Sequence, residues 1–369
     1  MKHFSRRIIF YICLALVPAA VSSTAAAQYV VTKLTSNQAA VTPNQDVHLK
    51  NAWGLARGAN SAWWIANNGS GFATLHNASG VLQTLQQFDG VTIPSAVARR
   101  VGSPTGIVNS KNGGFPLTLE KGSLSAPAVF LFATIDGQIQ GWNPNVALGH
   151  TVGAVDNVKV GASYRGLAIT DNPGKRNFIF AADARNNRID IYDDAFVLVG
   201  SFTDSHLPAG FVPNGIRDIE HELYVTFSAL DDDVHGGIVD VFHENGEFVR
   251  RLVDNNGVLD HPWGLALAPS NFGTFSNSLL VSNNTNAGKI ASIDPETGAF
   301  RGYLTDPRGK VIVIDELWGI DFGGGTAING QSNTLFFTAG PDEYQNGLFG
   351  RIQFIASTTR GAAAVSGTK

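Results

Sequence analysis

Cysteine is almost missing from this chain: the one present, Cys13, lies in an N-terminal segment laid out for removal. That segment opens with Lys2, Arg6 and Arg7, continues as an apolar run over residues 8–21, and ends on Ala25-Ala26-Ala27. This is the layout of a secretory signal peptide over residues 1–27. The run is too short for a comfortable membrane span, and Pro18 followed by Ser22, Ser23 and Thr24 argues for cleavage rather than anchoring. Nor does Cys13 follow the small residue that a lipoprotein cleavage site prefers. The expectation is an exported chain, periplasmic or extracellular, with no membrane anchor after cleavage. Its mature part has no cysteine, which excludes disulfides, thiolate nucleophiles and thiolate metal ligands, so burial must supply the stability.

Runs of a single charge are lacking as well. Without Lys2, Arg6 and Arg7, 23 basic residues face 30 acidic ones, a balance near −7. No basic run or basic-aromatic interleaving occurs, so neither nucleic acid nor an anionic membrane surface is an expected partner. Complete catalytic signatures are absent too. There is no Gly-x-Ser-x-Gly elbow, no second His after His221-Glu222 or His243-Glu244, and no glycine-rich phosphate loop. The stretch from Asp231 to Gly236 begins like a calcium loop, but its twelfth position is Phe242, where a bidentate Glu is needed.

What the chain does have is a repeat. His261-Pro262-Trp263-Gly264-Leu265-Ala266 has close copies in Ala52-Trp53-Gly54-Leu55-Ala56, Tyr164-Arg165-Gly166-Leu167-Ala168 and Leu317-Trp318-Gly319-Ile320-Asp321. Weaker versions stand at Pro104-Thr105-Gly106-Ile107-Val108 and Pro213-Asn214-Gly215-Ile216. Each marker opens a block with the same grammar: an inner strand, a second apolar strand, an Asn/Asp/Gly-rich loop, a third strand, a tight turn such as Asp294-Pro295-Glu296-Thr297-Gly298, and a fourth strand. Six such blocks predict an all-β, six-bladed β-propeller of four-stranded antiparallel blades, one domain over residues 28–355. A pair of sandwiches would not produce six equivalent glycine markers.

The last block lacks a fourth strand, and residues 29–35 have the right character to supply it, closing the ring and removing two exposed edges. The first block's fourth strand is expected at 81–88. An insertion at 110–126 in the second block is expected on one face, where it could cover an end of the channel. The tail over 356–369 has nothing to bury and is expected to be disordered.

The markers and turns resemble six-bladed propellers of the NHL and TolB-like type, over a span from Tyr29 to Ile355. More narrowly, Trp53-Gly54-Leu55-Ala56, Trp263-Gly264-Leu265-Ala266-Leu267-Ala268-Pro269-Ser270, Leu335-Phe336-Phe337-Thr338-Ala339-Gly340-Pro341 and Leu348-Phe349-Gly350 resemble an exported bacterial propeller family with no assigned activity. The resemblance implies fold and export but no reaction, since propellers host lactonases, lyases and binding platforms alike.

Candidate residues enter the inner strands at one mouth of the channel: Asn51, Ser103, Ser163, Asn214, Asp260, Asp315 and Glu316. Pro213-Asn214-Gly215-Ile216 is similar to the Asn-supplying motif of calcium-dependent sugar-acid lactonases. That similarity implies Asn214 as a metal ligand, Asp260 and Glu316 as further oxygen donors, and calcium as the cofactor. The lactonases' Glu-Gly-Pro and Pro-Asp-Gly are absent, and Pro-Asn-Gly is also simply a good turn. Trp53, Tyr164, Trp263 and Trp318 could stack a sugar at this mouth, or could pack the blades together. Asn67, Asp136, Asp183, Asp231 and Asn283 follow second strands, where local loop capping competes with one converged site. The leading expectation is a monomeric binding module taking a small molecule, carbohydrate or protein at the channel mouth. A calcium-assisted hydrolase or lyase is the alternative.

Overall fold

The computed structural model describes residues 28–97, 100–119, 124–170, 174–231 and 233–356. The expected signal peptide (1–27) and the tail beyond residue 356 lie outside this set. Six sheets form a ring, each antiparallel through its four main strands, and each marker opens an innermost strand: Ala52–Ala56, Pro104–Asn109, Tyr164–Ile169, Phe211–Ile219, Pro262–Leu267 and Leu317–Phe322.

The glycines are there because the inner strands crowd at the axis. A Cβ placed on Gly54, Gly106, Gly166, Gly215, Gly264 or Gly319 would come within 1.8–2.7 Å of the marker backbone of the following blade, and Gly319 meets Trp53, which completes the circle. In all six blades the ladder skips at the marker, from Ala52 to Leu55, Pro104 to Ile107, Tyr164 to Leu167, Pro213 to Ile216, Pro262 to Leu265 and Leu317 to Ile320. Such a bulge frees the marker amide from the sheet. A second-strand hydroxyl then accepts it: Thr226 from Gly215 (2.8 Å), Ser282 from Gly264 (2.8 Å) and Thr338 from Gly319 (3.0 Å). Ser282 and Thr338 also donate onward to the Trp318 and Trp53 carbonyls of the neighbouring blades, stitching blade to blade.

Apolar side chains fill the gaps between blades rather than one central core. Each of the six neighbouring pairs has its own buried cluster. Trp64, Phe130 and Trp142 meet in the gap between the first and second blades, with ring centroids 4.5–4.6 Å from Trp64.

The two chain ends share the sixth blade. Tyr29–Ser36 pairs antiparallel with Leu348–Phe354 from Tyr29↔Phe354 to Ser36↔Leu348, and the short strand Asn44–Gln45 adds outside it in parallel. The buried Tyr29 hydroxyl donates to the Phe272 carbonyl at 2.7 Å and its ring packs on Phe272 and Phe354, so the N-terminal strand also ties the fifth blade to the sixth.

One local expectation is corrected. The fourth strand of the first blade is Val91–Thr92, pairing with Phe72 and Ala73, while residues 81–88 make only the isolated bridges His76↔Leu82 and Leu85↔Phe88. Leu82, Leu85 and Phe88 in that stretch are only half-buried among the polar Gln83, Gln86 and Gln87, whereas Val91 is fully buried. The insertion includes a small hairpin, Pro116–Thr118 with Ser125–Pro127, and its Lys111 lines one mouth of the channel. Its buried Phe115 and Leu117 join the cluster between the second and third blades, and the Phe115 amide bonds the Asp194 carbonyl.

Candidate functional site

Because each marker abuts the next in register, equivalent ends of the inner strands gather at opposite ends of one channel. The residues just ahead of the glycines are Trp53, Thr105, Arg165, Asn214, Trp263 and Trp318. Three of these close that end. Trp53 and Trp318 stack with centroids 3.7 Å apart, Trp263 meets both edge-on, and the three are only 6, 4 and 8% exposed respectively. Ile135 and Tyr344 pack against them. The Trp318 indole donates to the Asn51 side chain at 3.0 Å, whereas the buried indole N–H groups of Trp53 and Trp263 have no hydrogen-bond partner among the described residues.

Tyr164 does not belong to this group. It sits one residue off register, fully buried, with its hydroxyl donating to Asp190 (2.9 Å) and touching the Tyr192 hydroxyl (2.8 Å). Burial, together with the hydrogen bond to Tyr192, holds its phenol far above the usual range.

The three residues implied as metal ligands have separate surroundings. The Asn214 amide donates to the Pro262 carbonyl (3.0 Å) and the Ser228 hydroxyl (3.3 Å), and its oxygen accepts from Arg165 (3.4 Å). Glu316 is buried at the entry to the sixth inner strand, with its backbone amide bonded to the Thr285 carbonyl. Asp260 instead meets two imidazoles, His235 and His261, each at 3.0 Å. Among the described residues, two His and carboxylate groupings bring three ligand atoms within 4.8 Å of one another: His235–Asp260–His261 and Asp218–His221–Glu244. Glu316 is in neither. The loop series acts locally: Asp136 caps Ser95 and Ala96, Asp183 caps Ser163 and Asn186, and the Asn283 side chain accepts the Asp260 amide.

The other end of the channel is open. A cavity of about 360 Å³ runs from Trp263 past the six marker glycines to a mouth carrying Arg57, Lys111, Arg217, Asp218 and Asp321. Arg217, on the fourth blade, crosses to Asp321 on the sixth at 2.8 Å and also donates to the Leu265 carbonyl of the blade between. Arg57 donates to the Phe322 carbonyl (2.9 Å) and lies over the Trp63 ring. Burial first, then the nearby Arg217 charge, lowers its affinity for the proton, opposed by Asp321.

Sequence reasoning missed this mouth, although a signal was present. Two residues past each glycine, four inner strands carry Ala56, Val108, Ala168 and Ala266, while the fourth and sixth carry Arg217 and Asp321. A charged pair that breaks an otherwise apolar repeat position marks where the ring has been put to a particular use.

At the same mouth, burial pushes the Asp218 carboxyl up to about 7, helped by the negative charge of Glu244 and opposed by the His221 amide. A carboxyl that binds its proton more tightly when folded costs stability once ionised. The penalty is absent below the ordinary carboxylate range, grows between about pH 4 and about pH 7, and is complete above that. Asp218→Asn is therefore expected to melt higher than the native chain at pH 8 and the same at pH 4; equal melting at both would show that the burial carries no such cost.

No known protein-family profile matches the chain. Among solved structures it is similar in fold to a catalytically inactive virginiamycin B lyase from Staphylococcus aureus with quinupristin, with a TM-score of 0.50, 14% identity, and 89% of this chain and 100% of that one covered. It is likewise similar to the soluble aldose sugar dehydrogenase from Escherichia coli, with a TM-score of 0.50, 11% identity, and 88% and 99% covered. In sequence it is 30% identical over 340 residues to R648, an uncharacterized protein of Acanthamoeba polyphaga mimivirus, spanning 86% of this chain and 78% of the relative. With that identity sustained over most of both proteins, the chain belongs to the family of R648.

Proposed function

We propose that this protein is an exported binding module that holds a small anionic molecule in the open cup of its channel. The observation that carries this reading is the composition of the cup: the guanidinium groups of Arg57 and Arg217 and the Lys111 side chain stand at its mouth with Asp218 and Asp321, around a cavity of about 360 Å³. That volume falls within the range of ordinary small-ligand sites, roughly 300–1,000 Å³. In a chain that is acidic overall, two guanidinium groups at one mouth favour a carboxylate-bearing guest, which Arg can hold in a bidentate pair. Asp218, which holds a proton toward neutral pH, reduces the opposing charge further. Apolar walls from Leu55, Ile107, Leu167, Ile216 and Ile320 would hold the rest of the molecule.

Calorimetry with gluconate and galacturonate, and with glucose as the neutral control, tests the reading. Either acid should bind better than glucose, weaken as salt rises, and lose at least tenfold in affinity in Arg217→Gln and Lys111→Ala. Equal weak binding of acid and neutral sugar, or affinity unchanged in both variants, would overturn it.

A second reading, hydrolase or lyase chemistry in the same cup, is favoured by Asp218 alone. A carboxyl titrating near neutrality is suited to move a proton at working pH. In that case gluconolactone or a similar ester should be consumed, and Asp218→Asn should abolish turnover while leaving binding of the acid intact. No consumption by the native chain would remove it.

A further inference from the structure

At the tryptophan-closed end, on the rim between the fourth and fifth blades, we infer a divalent transition-metal site formed by His235, Asp260 and His261. It stands at the opposite end of the channel from the cup and is independent of what the cup binds.

The geometry starts with Asp260, whose Oδ2 lies 3.0 Å from His235 Nδ1 and whose Oδ1 lies 3.0 Å from His261 Nδ1. The ligand atoms of the three side chains fall within 4.8 Å of one another. Around a metal with bonds of about 2.0–2.2 Å, neighbouring donors sit roughly 3.0–3.5 Å apart, a spacing that both Asp260–imidazole contacts already have.

The other ring nitrogen of His261 supplies the independent observation. Nε2 lies 3.4 Å from the Asp231 backbone carbonyl, so this imidazole faces an acceptor on both sides. A neutral imidazole carries one N–H and can satisfy only one of them. Without a metal, the shorter contact suits Nδ1–H donating to Asp260; with the proton moved to Nε2 and its carbonyl, the Nδ1 lone pair and the carboxylate oxygen converge on one position that a metal ion can take. An imidazole whose far N–H is fixed on a backbone carbonyl is the usual support for a metal-bound histidine.

His235 completes the set, bringing a third donor atom to the same carboxylate from the neighbouring loop. Its side chain is 74% exposed, leaving solvent-facing positions for water or a substrate atom. Asp260 is fixed by the Gly236 amide at one oxygen, and its own amide is held by Asn283. Two nitrogens and a carboxylate favour Zn²⁺, Co²⁺, Ni²⁺ or Cu²⁺ over Ca²⁺ and Mg²⁺. This donor set is distinct from the all-oxygen set of Asn214, Asp260 and Glu316 that the lactonase similarity implied. On binding, each imidazole presents Nδ1 as a lone pair, and any proton held there is released to solvent.

The test uses the mature, untagged chain, stripped with chelator. Titration with Zn²⁺ should show one equivalent bound per chain and a raised melting temperature, and Co²⁺ should give the visible absorption of a nitrogen- and oxygen-ligated ion. His235→Ala, whose exposed side chain can be lost without disturbing the core, should weaken Zn²⁺ at least tenfold and change the Co²⁺ spectrum; Asp260→Asn should do the same. Ca²⁺ at the same concentration should leave the melting temperature unmoved. Substoichiometric Zn²⁺ binding, or an affinity and spectrum unaltered in His235→Ala, would overturn the site and leave the two imidazoles as hydrogen-bond partners of Asp260.

Discussion

Gly215→Ala is expected to lower stability by about 3 kcal/mol or more, through overpacking where nothing can yield. Its new methyl would lie 1.8 Å from the Trp263 carbonyl oxygen, the tightest approach among the six markers. A flexible side chain could move aside, but a carbonyl in the neighbouring inner strand cannot shift without opening the ring. The bulge hydrogen bond from the Gly215 amide to Thr226 would be strained with it. Thermal or urea unfolding of the purified variant gives the answer. A stability within about 0.5 kcal/mol of the native chain, the ordinary range for surface changes, would mean that the markers do not pack as described.

Loss of the N-terminal strand should be the second large effect. Deleting residues 29–36 strips the outer main strand from the sixth blade and leaves Leu348–Phe354 with an unpaired edge. The expected product is a molecule that melts far below the native one or aggregates through that edge. Tyr29→Ala is the gentler version. It empties a fully buried aromatic site against Phe272 and Phe354, and removes the hydroxyl bound to the Phe272 carbonyl. Truncating a buried aromatic in this way costs about 3–5 kcal/mol. Native-like melting of both variants would contradict closure of the ring by the two chain ends.

The ring could be read in the sequence because crowding at an axis leaves a chemical trace: only glycine tolerates a neighbour's backbone at the distance of its missing Cβ. Closure was readable for a similar reason, since a block short of one strand and a spare strand at the far end complement each other. The fourth strand of the first blade was not readable. Its two paired residues, Val91 and Thr92, are too few to make a period, while the longer stretch at 81–88 looks more like a strand than it behaves. At the candidate sites the sequence drew attention to the tryptophan end of the channel and passed over the open one. Sugar stacking and blade packing read alike in the sequence; in the structure Trp53 and Trp318 stack at 3.7 Å with Trp263 edge-on to both. Tyr164 shares the tryptophans' neighbourhood in the chain, but a shift of one residue in a strand sends its ring to another face. The imidazoles on Asp260 were hidden because His235 arrives from the preceding blade, 25 residues away. The Arg217–Asp321 pair lies 104 residues apart, and only the shared register of two inner strands relates its members.

The stoppering of one end by Trp53, Trp263 and Trp318 governs the traffic of anything that enters the other. A tunnel open at both ends could thread a polymer and read it along its length; a blind well admits a short molecule, or the tip of a long one. Whatever reaches the bottom must retreat through its own entrance, so departure of one guest has to precede arrival of the next.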